Sequence, residues 1–208
     1  MWGFYGKDPD LGGPLPGRLH PRRRWTVSSP LGPLTRTIAL VGLMGAGKSS
    51  VGRRLAVALG VPFRDSDDEV ERAAGRTVSD IFASMGEPAF REGERRVIAR
   101  LLDEPPHILA TGGGAFINAE TRQLIKDKAL SVWLKADIDL LARRVGRKDT
   151  RPLLRDKDPR EVLEALAKVR HPIYAEADIT VKTGDTPHSA AVDEILAALT
   201  TWQETHPL

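Results

Sequence analysis

Residues 42–49 read Gly-Leu-Met-Gly-Ala-Gly-Lys-Ser and fill every defined position of the pattern G-x-x-x-x-G-K-[ST]. The apolar run 37–42 precedes them and the amphipathic stretch 48–60 follows. A glycine-rich turn between a buried strand and a helix cradles phosphate, because backbone N–H groups close around the anion and the helix start adds positive potential. Lys48 can reach the β- and γ-phosphates, and the Ser49 hydroxyl can ligate Mg²⁺. The loop is therefore expected to hold a nucleoside triphosphate.

The rest of the chain has the texture of a parallel sheet wrapped by helices, with short apolar runs alternating with helical periodicity. Strands are expected at 37–42, 61–67, 107–110, 129–135 and 178–182. Helices are expected at 48–60, in two pieces around Gly75 and Gly86, then at 87–103, 118–128 and 137–145, from the lid to about Arg170, and at 187–202. The segment 146–158 is charged, interrupted by Pro152 and without apolar periodicity, which suits a mobile loop. The 208 residues suit one domain. With no cysteine, disulfides, thiolate metal sites and thiol nucleophiles are excluded.

A sequence pI near 9.3 suggests nucleic acid as a partner, but the charge is unevenly placed. Residues 1–36 hold six Lys/Arg and two Asp, which leaves 25 basic and 26 acidic residues in the body. A phosphate-backbone binder carries its basic patch on the folded part, so nucleic-acid binding is not expected. Six Gly and six Pro in the same 36 residues, without apolar periodicity, read as a disordered extension over 1–35.

A phosphate loop alone does not separate an ATPase, a GTPase and a kinase. A base reader of the N-K-x-D kind is absent, and the third strand ends in Gly112, Gly113 and Gly114 rather than in an aspartate. Carboxylates follow the second strand instead. Asp65 and Asp67 point the same way if that segment is extended, one suited to hold Mg²⁺ through water and the other to take a proton from a hydroxyl. By spacing alone the segment serves equally well as a solvated cap for the following helix, with Asp67 as N-cap. Arg91 and Glu94 fit a surface ion pair, Arg151 and Arg170 fit a solvated face, and the three glycines fit a plain turn.

Taken together, "GLMGAGKSS", "DSD", "DIF", "FREGE", "GGG", "TRPLL" and "RHPIY" resemble the shikimate kinase family in order and near its spacing, over about residues 37–202. The resemblance implies a three-layer α/β/α P-loop fold with a five-stranded parallel sheet, like the nucleoside monophosphate kinases. Residues 36–208 would form the kinase domain, with an acceptor-binding region at about 66–95 and a lid at about 146–158. It implies transfer of the γ-phosphate of ATP to the 3-hydroxyl of shikimate, with one Mg²⁺ per subunit, in a cytoplasmic monomer with no membrane partner.

Carried over by position, Gly45, Ala46, Gly47, Lys48, Ser49 and Ser50 cradle the phosphates, Lys48 stabilises the migrating charge and Ser49 binds the metal, with Asp65 supporting it through water. Asp67 contacts the substrate hydroxyls as base. Arg91 and Arg170 bind the carboxylate, Glu94 orients Arg91, Phe82 and Phe90 wall the ring, and Gly113, flanked by Gly112 and Gly114, donates a backbone contact. Arg151 is the lid arginine, Arg144 stacks on adenine, and Pro187 keeps its place in the adenine loop. That loop, "KTGDTPHS", lacks the basic residue often found there. Two arginines and an aspartate suit a polyhydroxylated carboxylate.

Overall fold

The computed structural model describes residues 32–146, 158–185 and 187–206. The lid arginine Arg151, most of the expected lid and all but the last residues of the expected extension lie outside them. Five strands, β1 (Thr37–Val41), β2 (Phe63–Asp65), β3 (Ile108–Ala110), β4 (Ala129–Ala136) and β5 (Ile179–Thr183), form one parallel sheet in the order β2-β3-β1-β4-β5. Every residue of β1 is buried, as a central strand covered by helices on both faces requires. Its continuous apolar run is the sequence form of that position.

The helices are α1 (Lys48–Leu59), α2 (Ser66–Ala74), α3 (Val78–Leu102), α4 (Ala119–Lys128), α5 (Ile138–Val145), α6 (Pro159–Tyr174) and α7 (His188–Thr205). None of the described helices is long and apolar enough to cross a membrane. The break expected around Gly86 is a kink within α3, where Gly86 takes φ 79° and ψ 170° just before Pro88. Register does the positioning. Leu40 and Asp65 both pair with Ala110. The loop after β1, the start of α2 and the glycine turn after β3 therefore leave the sheet side by side at its carboxyl edge, where open α/β sheets bind ligands.

Several boundaries differ from the sequence reading, most by a residue or two, and three of the differences are informative. The second strand stops at Asp65 instead of running to residue 67. The Asp65 carboxylate accepts the Asp67 amide at 3.1 Å, and this cap starts α2. Asp65 and Asp67 thus do not share one face of an extended strand, and the cap is Asp65 rather than Asp67. Helix α6 continues four residues past Arg170, because Pro172 lies in its last turns and removes only one amide donor. Helix α7 runs to Thr205, beyond the expected end at 202.

Candidate active site

On the donor side, the loop of residues 42–47 is shaped by glycines where no other residue fits. Gly42 takes φ 134°, and a Cβ there would lie 2.7 Å from the Leu134 carbonyl oxygen. Gly47, at φ 93°, caps α1. Lys48 is buried, and its ammonium donates to the Gly42 and Leu43 carbonyls at 2.9 and 3.0 Å, so the loop itself holds the lysine across its mouth. Ser49 donates to Asp65 Oδ2 at 2.6 Å. The Asp65 carboxylate thereby joins the first turn of α1 to the first turn of α2. Ala46 is buried and Ser50 is exposed.

On the acceptor side, two of the three glycines give way to three charged groups. A Cβ on Gly112 would lie 2.4 Å from Glu94 Oε1 and 2.8 Å from Asp67 Oδ1. One on Gly114 would meet the Arg91 guanidinium at 2.4 Å. The Gly113 carbonyl accepts from Arg170 Nη1 at 3.1 Å and from the Tyr174 hydroxyl. The Gly112 amide donates to Ser66 Oγ at 2.9 Å, which anchors the turn to the start of α2. Arg91 donates to Glu94 at 2.7 Å and to Glu87 at 3.1 Å. Its guanidinium lies 5.1 Å from the Phe90 ring, which pairs with Phe82 at 4.6 Å between centroids.

Asp67 stands where the two sides meet. Its Oδ1 and Glu94 Oε1 are buried, and neither has a hydrogen-bond partner among the described residues. Burial, then the charges of Asp65 and Glu94, push the Asp67 carboxyl from its ordinary 3.8 up to about 6, against the pull of Lys48 and Arg91. Burial likewise raises the Glu94 carboxyl, opposed by Arg91. A carboxylate with an unused buried oxygen and a pKa near neutrality is suited to accept a proton from a hydroxyl.

The structure therefore brings Lys48, Ser49, Asp65, Asp67, Arg91, Glu94, Arg170 and the glycine turn together. Arg144 and Pro187 lie elsewhere along the same edge. Arg144 donates to the Gly184 carbonyl at 2.9 Å, and Pro187 directly precedes α7. An apolar cavity of about 850 Å³, lined by Val70, Ile81, Phe90 and Val97 among others, lies between α2 and α3 and includes none of Asp67, Arg91 or Arg170. Volume alone does not locate the chemistry.

Sequence reasoning passed over Tyr174, Ser66 and His188. Tyr174 sits four residues after Arg170 on α6, a spacing that places both on one helix face and was available as a signal. Ser66 carried no signal until the early end of β2 was known. The His188 ring packs 3.8 Å from where a Gly47 Cβ would lie; burial and the charges of Arg54 and Arg144 lower its pKa.

Comparison with known proteins bears on the family and the fold. A family model described as shikimate kinase matches residues 44–200. Shikimate kinase of Caulobacter vibrioides is 72% identical over 174 residues, covering 83% of this chain and 87% of that one. Shikimate kinase of Paramagnetospirillum magneticum is 57% identical over 171 residues, covering 82% and 88%. The structure of shikimate kinase from Acinetobacter baumannii in complex with shikimate superposes with a TM-score of 0.79 at 39% identity, over 81% of this chain and 95% of that one.

Proposed function

The chain belongs to the shikimate kinase family, and from that membership we infer how its residues divide the work of the reaction. The activity is that of an ATP-dependent kinase that moves the γ-phosphate of ATP to the 3-hydroxyl of shikimate, giving shikimate 3-phosphate and ADP. Asp67 is the base. It takes the hydroxyl proton as the oxygen attacks, and its raised pKa places that proton affinity near neutrality. Lys48 swings from the loop carbonyls to the transferring phosphoryl group, while the amides of residues 45–50 hold the β- and γ-phosphates.

Arg91 and Arg170 grip the carboxylate of shikimate from two elements, and their planar forks fix its orientation. Glu94 keeps Arg91 in place. The Gly113 carbonyl is already taken, whereas its amide has no hydrogen bond among the described residues and is the donor offered to the acceptor. Phe82 and Phe90 wall the ring. Arg144 and Pro187 flank adenine, and Arg151, which lies outside the described residues, is assigned to the phosphates.

Mg²⁺ fits the donor set. The Ser49 hydroxyl and the Asp65 carboxylate are hard oxygens 2.6 Å apart. No group of three or more His, Cys, Asp or Glu able to hold a metal occurs among the described residues, which suits an ion completed by water and phosphate. Ser49 would hold it directly and Asp65 through water. When bound, it supplies charge neutralisation at the phosphates. The oligomeric state proposed is a monomer, which light scattering tests, and the location proposed is cytoplasmic, which fractionation tests.

The observation that carries this reading is the buried, unpartnered Asp67 oxygen, within electrostatic reach of Lys48 of the donor loop and Arg91 of α3. Coupled ADP release with ATP and Mg²⁺ should be stimulated by shikimate and not by gluconate or a nucleoside monophosphate. Asp67→Asn should lower kcat by about 10²-fold or more. Absence of stimulation by shikimate, or near-normal turnover of that variant, contradicts the reading.

A further inference from the structure

Tyr174 is 0% exposed, and its hydroxyl donates to the Gly113 carbonyl, the same oxygen that receives Arg170. Its ring lies 5.9 Å from that of Trp133. Trp133 in turn backs the donor loop, where a Cβ on Gly42 would lie 3.2 Å from its Cδ1. The glycine turn also abuts that loop directly, since a Cβ on Gly113 would lie 3.4 Å from the Met44 amide nitrogen. The Gly113 peptide is thus held between the phosphate loop on one side and α6 on the other. Glycine has no steric preference of its own for one backbone rotation, so the turn's shape has to come from its hydrogen bonds. Two donors from one helix face supply it. Burial pushes the Tyr174 phenol up to about 12, so it remains a neutral donor throughout the working range of an enzyme.

We propose that Tyr174 is a positioning residue for the acceptor: its hydroxyl locks the Gly113 turn and, through the shared carbonyl, aims the Arg170 fork at the acceptor's carboxylate. It does not touch the reacting atoms. Its contribution is to the preorganisation of Arg170 and the Gly113 amide, two of the groups offered to the acceptor, so its loss should appear in acceptor binding and not in nucleotide binding. This rests on the acceptor assignment made above.

Tyr174→Phe keeps the ring and removes only the hydroxyl. The KM for shikimate should rise about three- to tenfold, the range of one net hydrogen bond, with the KM for ATP unchanged and a smaller change in kcat. In an Arg170→Ala background, the same substitution should add little further, because the group it positions is gone. An unchanged shikimate KM overturns the proposal. So does a parallel rise in both KM values, or a Tyr174→Phe effect of full size in the Arg170→Ala background. If wild-type enzyme is not stimulated by shikimate, the functional reading itself fails. If Arg170→Ala raises the shikimate KM while Tyr174→Phe does not, only this inference fails.

Discussion

The two glycine-rich turns of this molecule, residues 42–47 and 112–114, sit side by side at the sheet edge and use glycine for opposite ends. In the donor loop, absent side chains let backbone turn with positive φ and bring its own amides and carbonyls inward. In the acceptor turn, they let other residues' side chains approach the backbone, with Glu94, Asp67 and Arg91 lying where Cβ atoms would stand. One loop is a binding surface in itself. The other is a floor on which a binding surface from α2, α3 and α6 is assembled.

Adding a single methyl to each turn tests that contrast most strongly. Gly42→Ala combines an unfavourable φ with a backbone clash at 2.7 Å. It should cost about 3 kcal/mol of stability, from overpacking plus backbone strain, and raise the KM for ATP. Gly112→Ala forces Glu94 and Asp67 aside, so it should raise the shikimate KM by about tenfold or more while sparing ATP binding. Thermal unfolding and the two KM values check both, and equal losses for both substrates in both variants would break the comparison.

A smaller effect concerns charge at the junction. The Asp67 carboxyl has a pKa of about 6 folded against 3.8 ordinarily, so the folded state binds the extra proton and loses stability as pH rises between those values. Removing the charge by Asp67→Asn should therefore stabilise the protein at pH 8 by about 2 kcal/mol, that is, about 3 kcal/mol from the raised pKa less about 1 kcal/mol for a buried amide without partners, an advantage that fades below about pH 4. Unfolding midpoints across that pH range check it. Smallest is Arg170→Lys, which keeps the charge but loses the fork and should raise the shikimate KM about tenfold without affecting ATP.

The same contrast explains what the sequence made legible. The donor loop is contiguous, so pattern and context together located Lys48 and Ser49 before any fold was known. The sheet was equally readable, because β1 is an unbroken apolar run and α1 ends on Gly60 in a left-handed cap. The acceptor side comes from four separated segments. Spacing alone left Asp67 open between proton acceptor and helix cap, and Arg91, Glu94 and Arg170 as a surface pair and a solvated face; the resemblance assigned them their roles. The early end of β2 was hidden because Asp65 caps α2 from within an apparently extended stretch, a hydrogen bond no periodicity reveals. Tyr174 was missed because α6 carries on through Pro172.

The pH dependence of kcat/KM with both substrates limiting, which reports the free enzyme, tests most directly the claim that both sides meet at Asp67. An acid limb centred near pH 6 is expected in the wild type, falling about tenfold per pH unit below it, with no such limb in the residual activity of Asp67→Asn. A flat wild-type profile between pH 5 and 8, or the same limb persisting in the variant, would contradict it.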